Sequence, residues 1–504
     1  MSIITVKSII TQATYQYIAT SDPKSGTAKN VYFSPNKDYV VAIFKEKQDA
    51  NQIERLRKIT TDYRNRLTNS DSNSYYLDEI FRWPTDIIEY QGKTGIIVPF
   101  YNPKFFFKIG YANDDLIKGE EKNGKWYAGA KFRNQQFPLH LHASELGHWL
   151  NYFQIGINLS RGVKKMHQMG LSHSDLSYNN VLIDPQTGAA CMIDLDGLVV
   201  PGIFPAEVIG TADFIAPEVL ATKHLDKNNP ERKLPNRLTD LHALACLIYM
   251  YLLHRHPLKG GKIHDLDTEK DDLLAMGEKA LFIEHPTDTS NRPKTHQISK
   301  WELYWADVSN LPYSITGPYL KNLFDRAFID GLHNPMLRPT AEEWETALLK
   351  TTDLIQPCLN SNCEQKWYVF DNSIAPKCPF CGTKHEGSLP VLDFYSQQQS
   401  GTWKPENQRL MVYHNQYMFQ WHANKNTIRN EKLTPEQKIP VGYFTFHQEK
   451  WLFVNQQLTD LFDVAEKQTI PIGAMIELSH GKQLLLDKKE GGRLMLVTIT
   501  NTNS

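Results

Sequence analysis

The sequence predicts an α+β chain in three modules: a mixed domain over residues 1–350, a metal-held ribbon over 355–388 and a small all-β sandwich over 405–500. Three observations predict it. Strand-like and helix-like stretches alternate up to about residue 350, and four of the six cysteines then fall in one short segment. The tail from Met411 to Ile499 alternates aromatic and aliphatic residues between turn glycines. A length of 504 residues leaves room for two to four domains. With 41% apolar and 22% charged residues the composition is ordinary globular usage, which excludes a fibrous or wholly disordered chain. Lys and Arg number 55 against 56 Asp and Glu, so no global basic field points to nucleic acid. The N-terminal MSIITVKSIITQATYQYIAT lacks a signal-peptide pattern, and the longest apolar run, Leu241 to Leu253, contains His242 and is too short for a bilayer. A soluble, cytoplasmic chain without nucleic-acid or membrane partners is expected.

The elements follow in order. Tyr32-Phe33 and Tyr39 to Phe44 read as two strands joined by the turn Ser34-Pro35-Asn36-Lys37. Ile53 to Leu67 has helical spacing, and Gly95 to Phe100 is a short apolar strand. Phe105 to Gln136 is largely polar and reads as part of an insertion spanning about 102–141. Glu145 to Met169 is helical again and stops at Gly170, a suitable C-cap. Ser396-Gln397-Gln398-Gln399-Ser400-Gly401 reads as a linker.

The chemistry concentrates in His173-Ser174-Asp175-Leu176-Ser177-Tyr178-Asn179-Asn180, followed by the strand Val181-Leu182-Ile183. This fits H-x-D-L-x-x-x-N, the catalytic-loop pattern of protein kinases. Phosphoryl transfer needs a carboxylate to orient the attacking hydroxyl and accept its proton, and an oxygen to hold Mg²⁺; Asp175 and Asn180 supply both from one loop. One hairpin on, Asp194 of Ile193-Asp194-Leu195-Asp196-Gly197 takes the place of the metal-binding Asp of D-F-G. Gly210 to Glu218 matches G-T-x-x-[YF]-x-A-P-E, Asp240 opens the apolar helix, and Arg338-Pro339-Thr340 precedes the amphipathic helix Ala341 to Leu349.

In these motifs and their order, residues 20–350 resemble a bilobal eukaryotic-type protein kinase domain. The wording His-Ser-Asp-Leu-Ser, Ile-Asp-Leu-Asp-Gly-Leu and Ala-Phe-Ile-Asp-Gly-Leu is similar to bacterial kinase-like proteins of tellurite-resistance-type stress operons. The resemblance implies an ATP- and Mg²⁺-dependent Ser/Thr kinase acting on protein hydroxyls or on itself. It implies a phosphatase and a von Willebrand-type metal-binding partner as operon neighbours. It further implies that Asp240 braces the catalytic-loop backbone and that Arg338 pairs with Glu218, both architectural roles.

The nucleotide end departs from the pattern. Gly26-Thr27-Ala28-Lys29-Asn30-Val31 aligns with the glycine-rich loop, Gly26 being its middle glycine, and Val41-Ala42-Ile43-Phe44 aligns with V-A-I-K. Phe44 thus stands in the lysine's place, as in the with-no-lysine kinases, where the glycine-rich loop supplies the phosphate lysine. Lys29 is that candidate. Lys45 is the competitor, but a one-residue slip turns a strand side chain to the opposite face. The helix acid pairing with the lysine is expected to be Asp62, or Glu54 if the helix begins earlier. Val31, Ala42, Ile97 and Leu182 would sandwich adenine, and Val98-Pro99-Phe100-Tyr101 would take its edge by backbone groups. Ser174 replaces the Arg of H-R-D, so activity without activation-segment phosphorylation is expected, with Thr211 still needed for substrate docking. Asp196 adds a carboxylate that either braces metal or the glycine-rich loop or lies solvated in a turn.

Cys358-x4-Cys363 and Cys378-Pro379-Phe380-Cys381-Gly382 have zinc-ribbon spacing, and four thiolates close a structural Zn²⁺ site. Trp367 and Tyr368 would cap it, with His385 an alternative ligand. Lys450 to Asn455, Ile470 to Gly473 and Leu478 to Leu484 resemble the latter half of a forkhead-associated domain. The loop motifs of the earlier half are missing from 405–445, so phosphopeptide binding is not implied.

Overall fold

The structure, a computed structural model, describes residues 2–26, 28–69, 74–370, 376–399 and 401–500. Thr27 of the glycine-rich stretch and Ser400 of the expected linker lie outside them. The chain divides into two compact units. The first holds residues 1–147, 151–313 and 322–345, and the second 148–150, 314–321 and 346–504.

In the first unit, β1 (Ser2–Lys7) and β2 (Thr14–Ala19) form an antiparallel hairpin. A five-stranded antiparallel sheet follows in the order β3 (Lys24–Ser25), β4 (Lys29–Phe33), β5 (Tyr39–Phe44), β7 (Lys93–Pro99), β6 (Asp86–Tyr90). Alternation along β5 sends Val41 and Ile43 to one face, where they pack with Val6 and Tyr17 of the hairpin and with Ile97. Ala42 and Phe44 turn to the other face with Val31, Ile96 and Val98. Ile97 is therefore not on the Ala42 face, as the adenine-sandwich reading requires. The register pairs Ala42 with Ile96 and Val41 with Ile97, which makes Val98 the residue that shares that face.

Helix α1 (Ala50–Lys58) starts at Asp49, whose side chain accepts from the Gln52 amide while Gln52 caps in return. It continues through a π-helical turn, Ile59–Tyr63, into Arg64–Asn69. Beyond the sheet lie the long helix Trp149–Gln168, the hairpin β8 (Val181–Asp184) and β9 (Ala189–Met192), and the helix Arg237–Leu253. This last helix is apolar on every side and buried from Thr239 to Leu253, as such a composition demands. The 102–141 stretch is packed rather than solvated: Phe105, Phe107, Tyr111 and Tyr127 are buried. Buried Lys122 within it is neutralised by Glu145 at 2.9 Å and Asp184 at 3.2 Å. Among the described residues, no helix is long and apolar enough to cross a membrane.

The second unit joins the cysteine segment and the tail. β10 (Ile355–Pro357) pairs with β11 (Trp367–Val369). β12 (Leu389–Gln399), β13 (Thr402–Met411), β17 (Phe462–Asp463), β18 (Gln468–Thr469), β20 (Gln483–Leu485) and β21 (Arg493–Thr500) make one sheet. β14 (Tyr417–Phe419), β15 (Pro440–His447), β16 (Lys450–Asn455) and β19 (Met475–Glu477) make a second, and both sheets feed one core that includes Val391, Phe394, Phe444 and Phe453. The module therefore begins at Leu389, not 405. The expected linker is the solvated end of β12 and the turn at Gly401 (φ 81°): a Ser/Gln run belongs equally to an exposed strand end. Asn455 is fully buried, donating to the carbonyls of Leu458, Ile470 and Pro471, so it holds a turn.

Candidate active site

The loop before β8 is suspended from a buried carboxylate. Asp240 accepts from the backbone amides of His173 (2.8 Å) and Ser174 (3.1 Å), which anchors Ser174 at φ 66°, a left-handed conformation that needs such support. His173 Nε2 donates to the Ile193 carbonyl at 3.1 Å, linking this loop to the residue before Asp194. Asp175 is held from both sides. Its Oδ1 accepts from the Thr211 amide (2.7 Å) and hydroxyl (2.8 Å), and its Oδ2 from Asn180 Nδ2 (2.9 Å). Asn180 Nδ2 also reaches the Asp175 carbonyl at 2.8 Å, so the two side chains the motif pairs are physically joined. Thr211 as a direct Asp175 ligand is a contact that sequence reasoning missed, although Gly210-Thr211 was the available signal.

Lys29 lies opposite Phe44 in the β4–β5 register, and its ammonium sits 5.5 Å from that ring's centre. Lys29 Nζ is 2.7 Å from Asp194 Oδ1, and 2.6 and 2.8 Å from the two carboxylate oxygens of Asp196. Burial opposes the Lys29 charge, but Asp196 and Asp194 outweigh it and raise its pKa. Burial also works against the Asp194 charge, yet the Lys29 ammonium draws that carboxyl below its ordinary value. Asp196, the more enclosed, is raised by burial and by the neighbouring Asp194 charge despite Lys29. Lys45 points elsewhere, its Nζ donating to the Gly26 carbonyl at 2.6 Å.

Two expectations are corrected here. Neither Asp62 nor Glu54 meets Lys29: Asp62 lies 3.7 Å from Lys58, and Glu54 pairs with Arg57 and Lys58 on its own helix. The inward turns of helix α1 are taken by Arg55 and Leu56, so its acids face solvent and Asp196 is the acid that meets the lysine. The Phe100 amide is committed to the Asp38 carbonyl at 2.9 Å, so it has no hydrogen left for an adenine edge. Leu182 is buried against Phe105 and Cys191 with Tyr101 alongside, whereas Val31 and Ala42 belong to the sheet's other cluster. The Gly26 amide closes the β3–β4 turn on the Lys29 carbonyl.

Glu218 and Arg338 form a two-point pair at 2.8 and 2.7 Å, with the guanidinium side chain only 1% exposed. The remaining Arg338 hydrogens go to the carbonyls of Gly331, Leu238 and Leu332, so every donor of the fork is used.

In the second unit the sulfurs of Cys358, Cys363, Cys378 and Cys381 all lie within 4.8 Å of one another. Cys358 and Cys381 are 3.5 Å apart, and Cys363 and Cys378 3.9 Å. A tetrahedron with Zn–S bonds of about 2.3 Å has edges of about 3.8 Å, so the donor set fits that ion. His385 is not part of the cluster. Tyr368 is buried, and Trp367 meets Tyr413 edge-on at 5.4 Å.

Residues 151–368 match the protein kinase domain family. The chain is 27% identical over 159 residues to Serine/threonine-protein kinase ppk21 of Schizosaccharomyces pombe, covering 28% of this chain and 27% of that protein. It is 30% identical over 113 residues to Serine/threonine-protein kinase RAD53 of Saccharomyces cerevisiae, covering 21% of this chain and 14% of that protein. The chain thus spans about a quarter or less of the length of these curated relatives. Among solved structures, the Toxoplasma gondii specific rhoptry antigen kinase domain aligns with a TM-score of 0.40 at 13% identity, over 69% of this chain and 86% of that one. Residues 151–368, with the motif order described above, match the protein kinase domain family, and the curated relatives similar to part of this chain are Ser/Thr protein kinases.

Proposed function

We propose that this chain is an ATP- and Mg²⁺-dependent Ser/Thr kinase that phosphorylates protein hydroxyls, its own included. The observation that carries the reading is the convergence of Asp175 with Asn180 on one loop and of Lys29 with Asp194 across the cleft. Adenine would lie between Val31, Ala42 and Val98 above and Leu182 below, its edge met by backbone groups from Tyr101 onward. Lys29 would neutralise charge on the α/β-phosphates. The half-exposed Asp194 carboxylate and Asn180 Oδ1, the amide oxygen opposite the nitrogen given to Asp175, are hard donors that fit Mg²⁺. The metal, when bound, would supply charge neutralisation at the terminal phosphates. Asp175 would align the acceptor hydroxyl and take its proton as that oxygen bonds to the γ-phosphorus and ADP leaves. Asp175→Ala should abolish transfer of labelled phosphate from γ-labelled ATP while the chain still folds and melts cooperatively, at a temperature lowered by the loss of the Thr211 and Asn180 hydrogen bonds. Labelling that survives in this variant sinks the catalytic assignment.

A pseudokinase scaffold is favoured by one feature, the lysine displaced to Lys29 and held by two carboxylates. Ligand stabilisation follows RT ln(1 + [L]/Kd), so titrating wild type, Lys29→Met and Lys45→Met with Mg·ATP separates the cases. The kinase reading expects the shift to vanish mainly in Lys29→Met and phosphate to turn over in wild type. A shift without turnover selects the scaffold. The same proposal includes a structural Zn²⁺ on Cys358, Cys363, Cys378 and Cys381, supported by the sulfur spacing. The stress-operon setting, with phosphatase and von Willebrand-type partners, rests on motif wording alone, and affinity capture from the native cell tests it.

A further inference from the structure

Helix α1 turns a buried cation, not an acid, toward the segment that follows Asp196. Arg55 is 6% exposed, yet its Nη2 donates to the Pro205 carbonyl at 2.7 Å and its Nη1 lies 3.1 Å from Glu207 Oε1. The guanidinium carbon sits 5.6 Å from the centre of the Phe204 ring. Arg55 Nε and Nη1 make no hydrogen bond among the described residues, so Glu207 meets the guanidinium as a counter-charge and the Pro205 carbonyl is the hydrogen-bond acceptor that holds it. A buried charge in that position is costly once its counter-charge is removed.

The segment's own composition sharpens the point. Between Asp196 and Ala216 the only hydroxyl-bearing residue is Thr211, and its amide and hydroxyl are both engaged by Asp175. The catalytic loop offers Ser174 where a cation would otherwise reach for a phosphate. The segment thus has no spare site to phosphorylate and no loop arginine to read one. It does have a carboxylate that lies against an arginine of helix α1. A groove of about 600 Å³ opens beside this pair, lined by Gln52, Ile209, Lys227 and Arg232 among others, and Ile209 leads into Gly210 and Thr211 at Asp175.

We infer that Arg55 and Glu207 form a built-in latch in which the segment's own carboxylate orders residues 203–211 against helix α1, making Arg55 and Glu207 positioning residues for protein substrate. Its effect on catalysis rests on the kinase reading; the latch itself does not. Half-exposed Glu207 contributes little by Coulomb attraction alone, being 47% exposed. Its role is to leave buried Arg55 compensated and to fix where the Phe204–Glu207 turn sits.

The test is a charge-reversal cycle, Arg55→Glu, Glu207→Arg and the double variant, together with Glu207→Gln, which touches only a half-exposed side chain. Amide hydrogen exchange across 203–211 should speed up about tenfold in each single reversal, and measurably in Glu207→Gln. The double variant should return to within about threefold of wild type. The KM for protein substrate should rise in the single variants while the KM for ATP stays put. Prior phosphatase treatment should change neither exchange nor KM. The latch is overturned if Glu207→Gln exchanges like wild type, if the double variant is as labile as the sum of the singles, or if phosphatase loosens the segment. If no variant or wild type transfers phosphate, the kinase reading falls, and the exchange data still decide the latch.

Discussion

Replacing Asp196 with Asn should weaken catalysis chiefly through Lys29. The Asp196 side chain is 10% exposed and that of Lys29 16%, so solvent screens their contact little. Both carboxylate oxygens lie within 2.8 Å of the ammonium. A hydrogen bond to a charged group is worth about 1.5–3 kcal/mol, and Asn keeps one acceptor oxygen but no charge. Asp194 remains at 2.7 Å, but its carboxylate is 51% exposed and compensates only in part. The expected loss is about 2 kcal/mol of lysine positioning, or roughly 30-fold in kcat/KM. Initial rates across a range of Mg·ATP concentrations read this directly. Lys29→Met should cost more, and adding Asp196→Asn to it should cost nothing further, because the partner is already gone. The reasoning is refuted if Asp196→Asn stays within about threefold of wild type, if Glu54→Gln or Asp62→Asn causes the loss instead, or if the two losses add.

Three further outcomes follow from the same packing. Glu218→Ala strands the fully bonded Arg338 cation, which should destabilise the first unit by about 3–5 kcal/mol; an unchanged urea midpoint would contradict the burial argument. Elemental analysis should find one zinc per chain, lost in Cys378→Ser, and a strong chelator should lower the melting temperature of the second unit; a metal-free protein with an unaltered melt would remove the zinc reading. Burial holds the His256 pKa down at about 4, its Nδ1 accepting from the Leu258 amide and its Nε2 donating to the Asp213 carbonyl, and burial depresses His242 and His254 as well. Unfolded, His256 titrates near about 6.5, so from there down to about 4 the unfolded chain binds the extra proton and stability falls with acid; His256 alone should cost about 2 kcal/mol by pH 5, and a flat denaturation midpoint between pH 7 and pH 5 would exclude it.

Local information was enough to read much of the first unit. Asp175 and Asn180 are five positions apart on one loop, so their spacing alone places them together, and Asp240 and Arg338 occupy fixed stations in the motif order. The two-residue period of β5 puts Phe44 on the inner face and Lys45 on the other, and Lys29 pairs opposite Phe44. One strand over, Ile97 is expected beside adenine but faces the β1–β2 hairpin, and Val98 takes that place because the register with β5 is set by tertiary pairing. The Ser/Gln stretch ends a strand and is not a linker: composition reports solvation, and an exposed strand end is as solvated as a linker.

What the sequence determined by itself was short-range: which residues share a loop, a strand face or a turn, and which residue types could carry phosphoryl transfer or bind a metal. What only the tertiary structure decided was long-range pairing. Lys29 meets Asp196 across 167 positions, and Arg55 reaches Pro205 across 150. Several carboxylates along the chain are equally able to neutralise a buried cation. Which one does so depends on how helix α1, the sheet and the segment after Asp196 pack, because charge attraction carries no sequence address and only folded geometry brings one candidate within bonding distance.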